Sequence, residues 1–263
     1  MTAILEIHDL THHFGGLCAL SGFSLSLSPG ELAGLIGPNG AGKTTVFNLI
    51  SGIYRPTSGS IRFLGEEITA WPSHRITAAG IARTFQNIRL FKEMSALDNV
   101  RLGAFARHDY SLLEALCRRG RFQAEERRWR EEALTLLERL NLAHYAHVPA
   151  RNLPYGEQRR LEIARALISR PRLLLLDEPA AGMNEAETEA LMALIREIQA
   201  EFDLTILLIE HQMRVVMGLC RRITVLDFGV TIAAGAPEEI RHHPRVLEAY
   251  LGREEPLLAE GGG

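Results

Sequence analysis

The chain has 263 residues, and its 29 lysine and arginine residues against 32 aspartate and glutamate residues give a formal net charge of -3. This balance argues against a nucleic-acid binder that relies on bulk positive charge. With 46% hydrophobic and 23% charged residues, the composition is typical of a globular protein and excludes disordered and fibrous classes.

The sequence predicts neither a membrane-spanning helix nor a signal peptide. No run approaches the roughly 18 uninterrupted apolar residues that a membrane-spanning helix needs. The first ten residues carry Glu6 and Asp9, where a signal peptide would be positive and then apolar. We therefore expect the chain to stay in the cytosol.

The first 65 residues are predicted to be mostly β-structure, because short apolar runs are separated by turn signals such as Pro29-Gly30. One helix interrupts them at 44–50, where the apolar spacing is helical and stops at Gly52. The predicted strands are 5–10, 23–27 and 32–36, with a hairpin-like stretch at 60–64.

The middle of the chain, from about residue 87 to 153, has helical patterns. Residues 125–142 are amphipathic and contain neither Gly nor Pro, which predicts a helical insert. Between Arg101 and Arg130 there are eight arginines against four acidic residues. We interpret this basic stretch as a solvated helical face, with a surface next to anionic lipid head groups as the alternative.

Strands and helices alternate after the insert, which implies right-handed crossovers and a parallel sheet covered on both faces. Asn184 can cap the second of these helices, with Glu187 at the capping-box position. The terminal triple glycine is expected to fray. The predicted helices are 157–169, 185–200 and 213–220, and the predicted strands are 173–176 and 205–209.

The three cysteines, Cys18, Cys117 and Cys220, are far apart and show no C-x-x-C spacing. This pattern predicts neither a disulfide framework nor a zinc knuckle. We expect them to be buried or inert thiols.

A glycine-rich loop, GPNGAGKTT, follows the strand predicted at 32–36 and fits the pattern G-x-x-x-x-G-K-[ST]. Its glycines let backbone N–H groups fold round an anion, and the helix start adds its positive dipole end. Lys43 then reaches the β- and γ-phosphates, and Thr44 offers a hydroxyl to Mg²⁺. A turn without a ligand is the alternative, but the pattern arises by chance in roughly one chain of this size per hundred. The predicted nucleotide-binding residues are Gly37, Pro38, Asn39, Gly40, Ala41, Gly42, Lys43, Thr44 and Thr45.

The run LLLLDE at 173–178 ends in two carboxylates, as a buried central strand that delivers acids at its carboxyl edge would. Asp177 is placed to hold Mg²⁺ through water. Glu178 is a candidate general base, or a group that positions water for in-line attack on the γ-phosphate. Alone, the run could equally be a plain strand end; with the glycine-rich loop it predicts a nucleotide hydrolase.

Together these residues resemble the nucleotide-binding subunit of ABC transporters, and the resemblance covers about 5–252. It implies that Phe14, in HHFGG, stacks on adenine. It implies that Gln86, in RTFQN, lies near Mg²⁺ and the membrane partner, and that His211, in LLIEHQM, is the family's switch histidine. On this resemblance Glu178, His211 and Gln86 are the catalytic residues, and Thr44, Gln86 and Asp177 are the metal ligands.

The signature turn LPYGEQ departs from the family's common LSGGQ form, because Pro154 and Tyr155 replace its serine and first glycine. One hydroxyl contact to the γ-phosphate is lost, but the Gly156 amide and the start of its helix can still attract an anion. In this family that helix faces the nucleotide of the opposite subunit, so a dimer is implied. The predicted binding residues here are Tyr155, Gly156 and Glu157.

The resemblance implies the α/β fold of a P-loop NTPase, with a parallel sheet core, an N-terminal antiparallel β subdomain and an α-helical subdomain inserted at about 87–156. The ATP-binding domain would span 1–252 and be followed by a flexible tail at 253–263. The implied cofactors are ATP and Mg²⁺.

The implied partners are transmembrane permease subunits, a second ATP-binding subunit that is either a copy or a paralogue, and indirectly a periplasmic or extracellular substrate-binding protein. No nucleic-acid partner is expected. The resemblance places the chain as a peripheral subunit on the cytoplasmic face of a bacterial-type inner membrane.

Several strings, among them LPYGEQRRLEIARAL and GAPEEIRHHPRVLEAYLG, look most like the LivG-type ATPases of branched-chain amino acid importers. Gln212 and Met183 depart from the Asp and Leu that are common there. A carboxylate at 212 could orient or charge the neighbouring imidazole, whereas an amide cannot charge it. The cargo itself is not encoded, since the polar residue clusters all address nucleotide.

Three alternatives remain open. A cassette for urea, lipopolysaccharide or another cargo stays within the transporter class. A soluble P-loop kinase would need an acceptor site and gives no reason for the order Gln86, Gly156, His211. A cytosolic ABC ATPase acting on ribosomes or DNA usually has two cassettes or long coiled-coil arms, whereas this sequence has one phosphate loop and no sustained heptads.

Overall fold

The computed structural model describes residues 2–107 and 121–251. Its N-terminal sheet is antiparallel, in the order β2-β1-β4-β5, as expected for the N-terminal subdomain. The first two strands extend beyond their predicted apolar runs, because they remain paired up to the tight hairpin where Phe14 faces Leu17. The strands of this sheet are β1 (Leu5–Phe14), β2 (Leu17–Leu27), β4 (Ser58–Phe63) and β5 (Glu66–Glu67).

The second sheet has six strands in the order β10-β9-β3-β8-β7-β6. Every pair in it is parallel except the β9–β10 hairpin at one edge, so the predicted parallel core is confirmed. Sequence reasoning did not predict β6, β9 or β10. The strands are β3 (Leu32–Ile36), β6 (Ile81–Arg83), β7 (Leu173–Asp177), β8 (Thr205–Ile209), β9 (Arg222–Asp227) and β10 (Val230–Gly235).

Helices cover both faces of this sheet. The long helix predicted at 125–142 begins at Arg121 and ends at Arg139, because Asn141 takes a positive φ of 59° and turns the chain. The predicted cap is confirmed, since Asn184 and Glu187 form a reciprocal capping box. The helices are α1 (Lys43–Ile50), α2 (Ser73–Ala79), α3 (Ala96–Gly103), α4 (Arg121–Arg139), α5 (Tyr155–Leu167), α6 (Glu185–Glu201), α7 (Met213–Leu219), α8 (Pro237–Arg241) and α9 (Pro244–Leu251), with short 3-10 turns at Ala104–Arg107, Ala143–Tyr145 and Ala150–Asn152.

The core is divided by the parallel sheet, and β7 shows the division most clearly. Leu174 and Leu176 point into the cluster that holds the helical insert. Leu173 and Leu175 point into the cluster that holds α1 and the N-terminal sheet. All five residues of β7 are buried, as expected for a central strand of a parallel sheet.

The described part of the helical insert is tied together near α3. Ser95 caps α3 by accepting a hydrogen bond from the Asp98 N–H at 3.1 Å. Buried Asn99 donates to the carbonyl oxygens of Phe91 and Ser95, both at 3.0 Å. These contacts fix the segment that joins the nucleotide-binding core to the insert.

The basic stretch and the cysteines are only partly described. Arg101 pairs with Asp98 and Glu126, whereas residues 108–120, including Cys117, lie outside the described residues, as does the predicted tail. Burial raises the pKa of Cys220 to about 12, which agrees with an inert thiol. Cys18 is exposed in β2, so of the two expected alternatives, a buried or an inert thiol, only the second stays a prediction for it. Within the described ranges, no helix is long and apolar enough to cross a membrane.

Candidate nucleotide site

The glycine-rich loop joins β3 to α1. Gly37 takes φ 149°, and a Cβ added there would lie 2.1 Å from the carbonyl oxygen of Leu226, so only glycine fits. Lys43, the first residue of α1, is buried, and its Nζ donates to the carbonyl oxygens of Gly37 at 2.6 Å and Pro38 at 2.9 Å. The lysine thus closes the loop and holds its ammonium group at the loop's centre.

A pocket of about 470 Å³ lies beside this loop. The structure brings Gln86 and Glu178 to the pocket together with loop residues 39–45. A second cavity of about 420 Å³ shares Asn39, Gln86 and Glu178 with it. The second cavity is also lined by Gly37, Pro38, His211 and Tyr250.

Glu178 stands where the two cavities meet. It follows β7 with a positive φ of 47°, an uncommon conformation for a residue other than glycine, asparagine or aspartate, and such outliers often occur at functional sites. Its Oε2 accepts a hydrogen bond from Gln86 Nε2 at 2.7 Å and lies 3.6 Å from His211 Nδ1. Glu178 is therefore close to both of the other side chains that are predicted to be catalytic.

Asp177 is not among the residues that line these two cavities. Its buried carboxylate forms an ion pair with Arg83, at 2.8 Å between Oδ2 and Nη2. Arg83 also donates to Asn48 Oδ1 at 2.7 Å and to Ser51 Oγ at 3.2 Å. Burial lowers the pKa of Arg83, and the hydrogen bond and charge of Asp177 oppose that change. Sequence reasoning missed Arg83, although it lies three residues before Gln86 in the RTFQN string.

A buried ion pair positions the Gln86 segment. Arg159 and Glu162 lie one turn apart on α5 and pair at 2.8 Å with almost no exposure. Arg159 donates to the carbonyl oxygens of Phe85 at 2.7 Å and Gln86 at 2.8 Å. Glu162 accepts from the Phe85 and Arg89 N–H groups, both at 3.3 Å. The only signal in the sequence was two opposite charges spaced i and i+3 within an otherwise amphipathic helix.

Glu210 anchors the turn that carries His211. It is fully buried and accepts from the N–H groups of Ala180 at 2.9 Å and His211 at 3.1 Å. Burial raises the pKa of Glu210, and these N–H groups oppose the rise. Gln212 Nε2 donates to the Ala180 carbonyl oxygen at 3.2 Å. The Gln212 amide group therefore binds the backbone of the Ala180 segment and not the His211 imidazole.

Phe14 is not among the residues that line either cavity. It lies at the end of β1, where its ring packs edge-on against His12 and Tyr54, with centroids 4.6 and 5.3 Å apart. The pocket wall on the side of the N-terminal sheet is instead formed by Leu17, Cys18, Ala19 and Phe228. Sequence reasoning missed these four, because it predicted neither the hairpin that begins β2 nor the turn after β9. Adenine stacking by Phe14 stays a prediction.

The signature turn lies apart from this chain's own phosphate loop. Tyr155, Gly156 and Glu157 open α5, and none of them lines the two cavities. Tyr155 donates its hydroxyl to the Ala181 carbonyl oxygen at 3.0 Å. A Cβ added at Gly156 would meet only Glu187, at an ordinary 3.7 Å. There is therefore room beside Gly156, in the first turn of α5, for a larger side chain.

The predicted metal ligands suit Mg²⁺ in their chemistry. Thr44, Gln86 and Asp177 offer only oxygen donors, and Mg²⁺ is usually held by one or two carboxylates together with substrate phosphates. Among the residues that the structure describes, no group of three or more His, Cys, Asp or Glu side chains could form a cage for a metal without such phosphates. The donors thus fit a metal that arrives with nucleotide.

The sequence was compared with family models and with curated proteins. Residues 20–181, which include the phosphate loop and both acids, match the family model described as ABC transporter. The chain belongs to the ABC transporter family. Residues 230–256 match a second model, branched-chain amino acid ATP-binding cassette transporter. The chain is 48% identical over 249 residues to the high-affinity branched-chain amino acid transport ATP-binding protein BraF of Pseudomonas aeruginosa, covering 95% of this chain and 98% of that protein.

Other relatives and solved structures agree. LivG of Escherichia coli K12, with the same description, is 44% identical over 249 residues, again 95% of this chain and 98% of that protein. An ATP-binding cassette of an ABC transporter in its ADP conformation superposes with a TM-score of 0.84 at 32% identity, over 96% of this chain and all of that one. The expected ABC ATPase fold is confirmed, and the chain is an ATP-binding and ATP-hydrolysing subunit of an ABC transporter.

Proposed function

We propose that this chain hydrolyses Mg²⁺-bound ATP to drive an importer of branched-chain amino acids. The observation that supports the chemistry is the meeting of the phosphate loop, Gln86 and Glu178 in one pocket. The cargo is supported by the C-terminal match and by the names of the relatives BraF and LivG.

The phosphate loop would bind the triphosphate through its backbone N–H groups and through Lys43. The Lys43 ammonium would exchange its two carbonyl acceptors for phosphate oxygens, which form stronger, charge-assisted hydrogen bonds. Thr44, Gln86 and Asp177 would hold Mg²⁺, which neutralises phosphate charge when bound. Arg83 holds the Asp177 carboxylate in place by pairing with it.

Glu178 would take a proton from the attacking water. Its Oε2 is engaged by Gln86, so we assign Oε1 to the water. His211, 3.6 Å from the same carboxylate, would orient the water or the terminal phosphate. In this arrangement Glu178 takes the proton, while Gln86 and His211 orient the reacting groups.

We infer that two ATP-binding subunits must pair to complete each site. The signature residues Tyr155, Gly156 and Glu157 stand outside this chain's own cavities, and the exposed N-terminal end of α5 offers N–H groups to an anion. A partner subunit, either a copy or a paralogue, would place its α5 against the nucleotide bound here. Closure around ATP and opening after hydrolysis would then move the permease.

A groove of about 380 Å³ between α2 and the helical insert is our candidate surface for the permease subunits. Ile53 and Phe91 line it and are about half exposed, so the groove presents apolar surface to a partner. Arg83 and Glu162 also line it, and these hold Asp177 and the Gln86 segment. A partner seated there would act directly on the hydrolytic side of the site. Such a permease would keep this chain at the cytoplasmic face of the membrane.

One relative favours a second cargo. The lipopolysaccharide export protein LptB of Acidithiobacillus ferridurans is 36% identical over 96% of this chain. Copurification from membranes, identification of the bound permeases and assay of ATP turnover in proteoliposomes would decide between them. We expect leucine, isoleucine or valine with a binding protein to stimulate turnover, and a Glu178→Gln complex to show none. Stimulation by lipopolysaccharide alone would overturn the amino acid assignment.

A further inference from the structure

The C-terminal helix α9 brings a tyrosine to the hydrolytic side of the site. Tyr250, near the end of α9, lines the second cavity together with Gln86, Glu178 and His211. This helix lies outside the 20–181 match to the general family and inside the 230–256 match. The phosphate loop, the acids at the end of β7 and the signature turn do not include this residue.

The Tyr250 side chain is held in place by packing. Its ring packs against the large core cluster, to which α9 also contributes buried Val246. Its hydroxyl oxygen is shielded from solvent and makes no hydrogen bond of normal geometry with any residue in 2–107 or 121–251. Buried polar atoms without a partner are rare, and each one needs a physical explanation.

The hydroxyl is available as a donor. Burial raises the pKa of Tyr250, and the neighbouring N–H of Gly37, the first residue of the phosphate loop, opposes this rise without cancelling it. The hydroxyl therefore keeps its proton at neutral pH. A protonated phenol can donate one hydrogen bond, and Tyr250 belongs to the wall of the cavity that a ligand would enter.

The cavity that Tyr250 lines includes the position expected for the γ-phosphate, the group that ATP has and ADP lacks. The general base acts at the γ-phosphate, so Glu178 marks that end. Asn39, in the phosphate loop, is shared by both cavities, so nucleotide bound by the loop borders the Tyr250 cavity. A terminal phosphate is the one part of the nucleotide that ADP lacks.

We propose that the Tyr250 hydroxyl donates a hydrogen bond to the terminal phosphate of bound ATP, directly or through one ordered water, and so favours ATP over ADP. A tyrosine that merely supports the phosphate loop through Gly37 would affect both nucleotides alike, because both use that loop. The inference relies on nucleotide binding and not on the cargo.

The test uses the full chain with Glu178→Gln, which stops turnover, and measures ATP and ADP affinity by calorimetric titration with Mg²⁺. Tyr250→Phe removes only the hydroxyl. We expect the Kd for ATP to rise about three- to tenfold, as for the loss of one hydrogen bond, and the Kd for ADP to stay within about twofold.

Tyr145→Phe is the matched control. Tyr145 is also a partly buried tyrosine packed against the same core cluster, but it lies in the helical insert and lines neither cavity. We expect this control to leave both affinities unchanged, and thermal unfolding to show that both variants remain folded. Equal weakening of ATP and ADP, or no change in either, would overturn the proposal. Failure of the parent variant to bind ATP would appear in the same titration and would overturn the nucleotide assignment itself.

Discussion

The two sides of the nucleotide site are built in different ways. The phosphate-loop side comes from consecutive residues between β3 and α1, and Lys43 closes it by donating to the carbonyl oxygens of Gly37 and Pro38, six and five positions earlier. The hydrolytic side joins Gln86 to Glu178 across 92 positions, with Arg159 and Glu210 fixing the segments that carry it. A side held by distant contacts can respond to a partner that moves those contacts, whereas the loop side is closed by its own residues.

The largest expected effect lies on the hydrolytic side. Glu178→Gln keeps the hydrogen-bonding shape of the side chain but cannot take a proton from water. We expect turnover to fall by roughly two to four orders of magnitude, the range typical of a general base, while ATP binding persists. Steady-state phosphate release and equilibrium titration measure the two quantities. Near-normal hydrolysis would assign the proton transfer to another group.

The second largest effect is expected from the buried Arg159–Glu162 pair, which holds the Gln86 segment on the hydrolytic side. Arg159→Met leaves the buried Glu162 carboxylate with only the more distant Arg165, at 4.0 Å, as a charged partner, and it removes the donor to the Phe85 and Gln86 carbonyls. We expect the free energy of unfolding to fall by about 3–5 kcal/mol in urea denaturation. The double variant Arg159→Met, Glu162→Met should lose less stability, because no charge stays buried alone, but its turnover should remain low.

The opposite outcome of that experiment would also be informative. If the double variant hydrolysed ATP normally, the buried pair would stabilise the fold without positioning Gln86. If the single variant were as stable as the parent, the Arg159–Glu162 pair would not stabilise the protein. It would then not be one of the distant contacts that hold the hydrolytic side.

The phosphate-loop side should respond differently. Lys43→Ala removes the ammonium from the loop, and we expect ATP affinity to fall about hundredfold, equivalent to about 2.7 kcal/mol for lost charge-assisted contacts. Lys43 donates to two carbonyl oxygens of the loop, and the Gln86–Glu178 hydrogen bond joins two other segments, so we expect that hydrogen bond to persist. Fluorescent-nucleotide titration measures the affinity. Unchanged binding would remove the loop from the site.

The same contrast explains what the sequence could predict. The strand 32–36, the phosphate loop and the capping box at Asn184 were readable, because each depends on neighbours within a few positions. The pairing of Asp177 with Arg83 and of Gln86 with Glu178 depends on β6 lying beside β7, and β6 has only three residues and no periodic signal. The residues that form the pocket wall beside the N-terminal sheet were missed because they come from two separate turns of the chain. These residues are Leu17, Cys18, Ala19 and Phe228.

The central claim is that each nucleotide site is completed by the signature helix of a second subunit. Light scattering of the Glu178→Gln chain with ATP, with and without Gly156→Asp, tests it most directly. The space at Gly156 admits the aspartate side chain, whose charge would repel nucleotide. We predict an ATP-dependent dimer for the first chain and a monomer that still binds ATP for the second. Undiminished dimerisation of the Gly156→Asp chain would contradict the account.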